Sequence, residues 1–461
     1  MDVINAKPGV YIVGVTDKTE VLCAAGGRIS TQSGTALEIL EKSQNKEKNA
    51  SLIQKVTKSG HNSTVEHIFF NLAFENVSVV AEQFMIEFRL ASFTVKSRRY
   101  VDFSDCGYFI PEGLNSVKKE KYRKHMDSLF ALYSSLCESG IEKEDARFVL
   151  PYCFRSNFFC SLNGRELLLV IKRMLYGSMS KIKEIKDLGI QLLEQGRAIA
   201  PGIFAEFEQR VPALYDKAAV SLRLPEKKTE KSAKPDCELL CCTPDPAKAI
   251  AQSWLIGEGI YENIEEIAAD KENAAAIIKA AVHTARPRCL EAATFTFRIN
   301  NVSLACITHF ARHRVQSIII PPLYTADRAN HIIPPAVAED EKILAGYCAA
   351  FTSTKLLYDE LKADGVSEED LVYCLLSGNT LDITTTVNAR ELLLFFRLRT
   401  CNRAQWEIRN FANGMLALLR EKYPEIFNFY GPSCYSEGKC PEGRLSCGKA
   451  AQMVERFAEN K

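Results

Sequence analysis

Arg312-His313-Arg314 closes an apolar-periodic stretch of the sequence. Cations at a helix C-terminus complement the helix dipole. Arg is also the side chain best shaped for bidentate contact with phosphate. A second basic group, Ser92 followed by Ser97-Arg98-Arg99-Tyr100, crowds a segment expected to be a loop after a helix. Hydroxyls beside guanidinium groups suit the phosphate or sugar of a nucleotide. In a third segment Arg390, Arg397, Arg399 and Arg403 recur. At helical spacing Arg390, Arg397 and Arg399 cannot share one face, so some of them face solvent.

The elements that carry these groups occur twice. Residues 163–169 read NGRELLL and residues 388–394 read NARELLL, six of seven positions alike at an offset of 225. The same offset aligns Asn76-Val77-Ser78 with Asn301-Val302-Ser303, Glu66 with Glu291, Arg89 with Arg314 and Ser92 with Ser317. The matches sit at element edges or on polar groups, so shared amphipathic periodicity does not produce them. Two copies of one domain follow, at 1–222 and 237–461. Between them, 223–236 (RLPEKKTEKSAKPD) has the charged, Pro-containing composition of a linker.

Within each copy, 67–75 and 292–299 are expected as strands. Residues 78–90 and 303–313 are expected as helices, as are 116–138 and 340–362 with their charged faces. Residues 153–162 and 380–387 read as strands running into Asn163 and Asn388, each a good N-cap for the next helix. Interleaved strands and helices imply an α/β or α+β fold, with a mainly antiparallel sheet and helices in each domain.

Composition narrows the function classes. Apolar residues make up 47% and charged residues 25% of 461 residues, which is ordinary globular composition. Lys plus Arg number 58 against 57 Asp plus Glu. Binding to nucleic acid by phosphate neutralisation needs a basic excess, and none exists globally. No apolar run reaches membrane-spanning length, and the N-terminus has no leader pattern. Sixteen Cys stand mostly alone in apolar segments, such as Cys153, Cys160, Cys306 and Cys374, where a reduced Cys acts as a small hydrophobe. A reducing, cytoplasmic location is expected. Near the C-terminus, Cys434, Cys440 and Cys447 lie among Gly and Pro. Three thiolates could ligate zinc with a fourth ligand elsewhere. The spacing is not Cys-x-x-Cys, so no metal ligand is assigned.

Together the motifs resemble the flavin-dependent thymidylate synthase family. Its signature is Arg-His-Arg, two residues, Ser, four residues, Ser, one residue, Arg, preceded by His-x-Ser/Thr-x-x-Glu-His. The upstream element appears as His61-Asn62-Ser63-Thr64-Val65-Glu66-His67. Downstream stand Asn388-Ala389-Arg390, Leu398-Arg399 and Ala404-Gln405-Trp406-Glu407-Ile408. The first copy has Glu87-Phe88-Arg89 in place of Arg-His-Arg and keeps Ser97-Arg98-Arg99. The second keeps Arg312-His313-Arg314-Val315-Gln316-Ser317 and has Pro322 and Tyr324 for the later Ser and Arg. An Arg the family places before the second strand is Arg147 in the first copy and Val372 in the second. An Arg in the distal helix is Met174 in the first copy and Arg399 in the second.

The resemblance implies FAD-dependent methylation of dUMP to dTMP, with methylene-tetrahydrofolate and NADPH as co-substrates. It implies a composite site in which the first copy supplies Ser97, Arg99 and Arg147 and the second supplies Arg312 and Arg399. These five bind dUMP; Arg399 and Ser97 are the candidate catalytic groups. FAD contacts are expected from Ser63, Glu66, Asn163 and Arg165 of the first copy, and from His313, Arg314, Asn388 and Arg390 of the second. No Gly-x-Gly-x-x-Gly follows a strand, so a Rossmann-type FAD site is not expected. The family assembles its site between subunits, which implies a homodimer of the tandem chain. It uses no covalent Cys. The alternative is an inactive homologue that binds nucleotide or flavin without turnover.

Overall fold

A computed structural model describes residues 6–205, 207–208 and 236–459. Residues 223–235 of the expected linker lie outside the described residues. The described residues fall into two compact units, 6–208 with 334–377, and 236–333 with 378–459.

The first unit is built on a four-stranded antiparallel sheet of Gly9–Val15 (β1), Phe69–Ser78 (β2), Ala91–Val95 (β3) and Arg155–Asn163 (β4), in the order β1-β2-β4-β3. The second carries Asp236–Cys242 (β5), Thr294–Ser303 (β6), Ser317–Ile319 (β7), Asp327–His331 (β8) and Asn379–Asn388 (β9). Its order is β5-β6-β9-β7, with β8 also paired to β9, and every pairing is antiparallel. Phe70, Leu72 and Phe74 of β2, and Phe295, Phe297 and Ile299 of β6, point inward at alternate positions and are fully buried. Phe74 stacks on Phe158 of β4 at 4.4 Å.

The repeat in the sequence is a repeat of local geometry. The β2–β4 register shifts between Phe74 and Val77, and the β6–β9 register between Ile299 and Val302. Asn76 and Asn301 sit at these bulges with φ of 55° and 53°, a left-handed conformation that Asn tolerates. Each bulge amide is taken up by a side chain of the partner strand: Asn76 N–H donates to Asn157 Oδ1, and Asn301 N–H to Asp382 Oδ1. Ser78 and Ser303 then cap the helices Val79–Ile86 and Leu304–Ala311, and donate to Glu184 and Glu407. Both helices end short of the ranges expected from periodicity, because the chain turns out at Glu87 and Arg312.

The helices Ser116–Glu138 and Glu341–Ala363 form where the spacing predicts them, and they pair within the first unit. Lys118 Nζ donates to the Asp364 carbonyl at 2.7 Å, and His125 Nε2 meets Thr354 Oγ1 at 2.8 Å. Beside them Pro151 bridges Leu376, its own equivalent at the 225 offset. Tyr152 N–H donates to the Leu375 carbonyl, and Ser377 N–H to the Leu150 carbonyl. Under the offset these are one bond made twice, the self-complementary pattern of an isologous contact.

Candidate functional site

In the second unit the helix Leu304–Ala311 is buried at every position and ends at Arg312. From there the chain alternates: Arg312 and Arg314 are exposed, and His313 between them is buried. His313 is fixed by one stripe of the helix Ala389–Arg399. Its Nδ1 lies 3.0 Å from Glu391 Oε1, its ring packs edge-on against Phe395, and its Nε2 receives a hydrogen bond from Arg399 Nε at 3.0 Å. Glu391, Phe395 and Arg399 are four residues apart, which puts them on one helix face.

The geometry sets the protonation of His313. Arg has no acceptor, so the Nε2 facing Arg399 must carry a lone pair, and the proton sits on Nδ1, donated to Glu391. Burial, aided by the Arg399 charge, pushes the imidazole pKa below its ordinary value, and the Glu391 hydrogen bond opposes this. The group is thus a neutral imidazole between a carboxylate and a guanidinium. A second Arg399 contact, from Nη2 to the His309 carbonyl at 3.4 Å, holds that cation at the helix end.

Asn388 caps the same helix, its Oδ1 accepting from Glu391 N–H at 2.9 Å. Arg390 pairs with Glu291 on another face. Arg397 turns to Ser436 and Glu437, so the three Arg do diverge as their spacing requires. The first unit repeats part of this: Asn163 accepts from Glu166 N–H at 2.9 Å, and Arg165 pairs with Glu66 at 2.6 Å. Ser63 is exposed in the short 3-10 helix Asn62–His67 that carries Glu66.

The other predicted group comes together in the first unit. Ser97 Oγ accepts from Arg99 N–H at 3.3 Å. Arg99 Nε lies 2.5 Å from Glu144 Oε2. Arg147, buried, donates from Nε to the carbonyl oxygen of the same Glu144 at 3.0 Å. Glu144 therefore joins both cations, one through its carboxylate and one through its backbone. Two expectations for this segment are corrected. Ser92 lies in β3 opposite Ser161, not in a loop, because β4 offers β3 a free edge. Arg98 turns inward to Glu82 at 2.5 Å and over the Phe154 ring, so it belongs to the core.

The cations and the imidazole are exchanged in the other copy, while the carboxylates remain as Glu166 and Glu369. Where the second unit has Glu391, His313 and Arg399, the first has Glu166, Phe88 and Met174, with both apolar side chains buried. Where the first copy of the repeat has Arg99 and Arg147, the second copy has Tyr324 and a buried Val372. Glu144 and Glu391 were not singled out from sequence. The signal available for Glu391 was its place three residues after the capping Asn388, inside the repeated heptapeptide.

The candidate FAD contacts are Arg guanidinium groups, Asn amides and a buried His, with paired carboxylates alongside. Such a donor set fits a ligand with a pyrophosphate and an imide ring. Exposed Arg312 and Arg314 flanking a buried imidazole present cationic donors to solvent in the same segment.

Among the described residues, no helix is long and apolar enough to cross a membrane. The family described as Thymidylate synthase complementing protein (Thy1) matches residues 12–202 and again 238–425. Flavin-dependent thymidylate synthase from Geobacter sulfurreducens is 36% identical over 228 residues, which are 48% of this chain and 97% of that protein. The enzyme of the same description from Clostridium tetani is 32% identical over 241 residues, 48% of this chain and 96% of that one. A crystal structure of a UMP/dUMP methylase, PolB, from Streptomyces cacaoi bound with 5-Br dUMP aligns with a TM-score of 0.38 at 18% identity, covering 45% of this chain and 97% of that one.

Proposed function

The chain belongs to the Thy1 family, with two family regions in tandem, and from that premise we propose that it is a flavin-dependent thymidylate synthase that converts dUMP to dTMP at a site composed from both copies. The observation that carries the composite reading is the partition of polar groups. One copy keeps Ser97, Arg99 and Arg147, the other keeps Arg312, His313 and Arg399, and each lacks the other's set. Unselected decay of two copies would scatter the losses.

In this reading Arg99, Arg147 and Arg312 neutralise the dUMP phosphate and fix its orientation, and Ser97 adds a hydroxyl contact. Ser97 is assigned to binding, not nucleophilic attack, because no His or Glu base adjoins it in sequence. Arg399 presents a fixed cation to the uracil carbonyl or imide. A preorganised charge there stabilises negative charge that develops on the ring as C5 attacks. His313 keeps Arg399 in place as a neutral acceptor, so the site gains no second positive charge at this point. His313, Arg314, Asn388 and Arg390 of the second copy, with Ser63, Glu66, Asn163 and Arg165 of the first, would hold FAD. Reduced FAD, regenerated by NADPH, supplies the hydride, and methylene-tetrahydrofolate the carbon.

The repeat halves 1–222 and 237–461 stand in for two subunits, so the functional assembly is a homodimer. Light scattering on the flavin-loaded protein tests this, and a monomer that retains FAD contradicts it. Tritium release from dUMP labelled at C5, with methylene-tetrahydrofolate and NADPH present, tests the activity. Release above the rate without enzyme is expected. Nucleotide binding without release identifies an inactive homologue.

A further inference from the structure

The second region matched by the family ends at residue 425. Beyond it the chain runs through the short helix Ser433–Ser436 to the helix Ala450–Glu459. Arg420, buried in the last turn of the helix Trp406–Lys422, gathers this tail. It donates from Nε to the Phe427 carbonyl at 3.2 Å, from Nη2 to the Tyr430 carbonyl at 2.8 Å and from Nη1 to the Phe457 carbonyl at 3.0 Å. The Phe457 ring lies so close to Gly431 that a Cβ there would stand 2.9 Å from it.

The tail also grips the helix Ala389–Arg399 at both ends. Tyr430, fully buried, donates from its hydroxyl to the Ala389 carbonyl at 3.1 Å. Arg397 donates from Nε to Ser436 Oγ at 3.2 Å and pairs through Nη1 with Glu437 at 3.0 Å. Its Nη2 reaches the Val282 carbonyl at 3.4 Å. Arg397 and Arg399 leave the helix about 200° apart, so the tail holds one cation while the other meets His313.

The first copy supplies the comparison. After the distal helix the repeat offset becomes 223, since Glu184 and Glu407 accept from Ser78 and Ser303 alike. At the places of Tyr430, Arg397 and Arg420 the first copy has Phe207, Lys172 and Arg197. Phe207 carries no hydroxyl, Lys172 Nζ lies 5.7 Å over its ring, and Arg197 pairs with Glu208 at the surface. The Tyr hydroxyl and the forked guanidinium thus stand in the copy that carries Arg399, not in the copy with Met174 in its place.

We propose that Arg397 and Tyr430 are positioning residues, through which the tail fixes the helix Ala389–Arg399 and so the place of the Arg399 guanidinium at the nucleotide. This rests on the reading of Arg399 as the cation at the uracil ring. Helix ends fray when only their own last turn holds them, and a misplacement of about 1 Å in a catalytic group costs up to about a hundredfold in rate.

The test uses the full-length protein with Tyr430→Phe and Arg397→Lys, changes that bring in the first copy's residues at these places. Hydrogen exchange of the 389–399 amides should quicken by roughly fivefold in each, the worth of one hydrogen bond. Exchange in the helix Gly164–Tyr176 should not change. Turnover of dUMP should fall about tenfold in Arg397→Lys, with KM kept within about twofold. Because Arg397 acts through Arg399, Arg397→Lys should cost almost nothing more in the Arg399→Ala background. Equal losses in the two backgrounds overturn the proposal, and so does unchanged exchange at 389–399 in both variants. A wild type without turnover defeats the activity reading instead, and the exchange measurement still decides whether the tail fixes the helix.

Discussion

Glu82 and Arg98 form a buried ion pair at 2.5 Å in the first unit, and the second unit holds Ile307 and Leu323 at the same repeat positions. Ser156, which also donates to Glu82, becomes Leu381. One scaffold position is thus filled either by a satisfied charge network or by packed hydrocarbon. A buried pair is costly to break and cheap to replace whole.

That gives a stability prediction. Arg98→Leu alone leaves the Glu82 carboxylate buried without its cation and should cost about 3–5 kcal/mol. The triple change Glu82→Ile, Arg98→Leu, Ser156→Leu copies the second unit and should recover most of the loss. Urea unfolding midpoints of the three proteins decide it. A triple variant no more stable than Arg98→Leu would mean the surrounding cores differ in shape as well as charge.

His313 predicts a pH dependence. In the unfolded chain it titrates near its ordinary value of 6.5; in the fold, burial holds its pKa lower. Below that ordinary value the unfolded state therefore binds more protons than the folded state. The stability is present above about pH 6.5 and is lost as pH falls toward the folded pKa. Unfolding midpoints at about pH 7.5 and about pH 5.5 should drop further for the wild type than for His313→Gln. Equal drops would show that the imidazole does not stay neutral between Glu391 and Arg399.

The nucleotide contacts predict selective losses. Arg99→Ala should weaken dUMP binding by roughly tenfold to a hundredfold, the worth of one charge-assisted contact. Arg399→Ala should remove most turnover, and FAD should stay bound in both variants. His313→Ala should release FAD more readily. Calorimetric titration with dUMP and the flavin absorbance after gel filtration separate these outcomes. Wild-type dUMP affinity in Arg99→Ala would remove the first copy from the site.

Much of this was legible in sequence because it is local. The caps at Asn163 and Asn388 and the long helices follow from short-range rules, and the 225 offset states them twice, whereas the bulges at Asn76 and Asn301 showed only as a repeated Asn-Val-Ser. The long-range choices were not legible. Glu144 lies 45 residues from Arg99, and Glu391 lies 78 residues from His313; a carboxylate at that distance gives no periodic signal. Arg98 and Arg99 are adjacent and alike in sequence, yet one enters the core and one stays near the surface. The positions of Glu82 and Glu144 separate them. The packing of 334–377 within the first unit also has no local trace, since those residues read as the second copy.

The composite site itself is tested by complementation. Neither 1–222 nor 237–461 alone should make dTMP, since each lacks half of the binding set. Mixed, they should recover activity, because the linker then serves only to raise effective concentration. Two full-length variants sharpen this: Ser97→Ala with Arg99→Ala in one, and Arg399→Ala in the other. If the two sets meet within one chain, every site of a mixed dimer carries a lesion and the dimer stays dead. If they meet across chains, one site is wild type and the other doubly mutant, and about half the activity returns. Either pattern is consistent with a composite site and fixes its pairing. Synthesis of dTMP by the isolated second half at the full-length rate would refute it, because Ser97, Arg99 and Arg147 would then be dispensable.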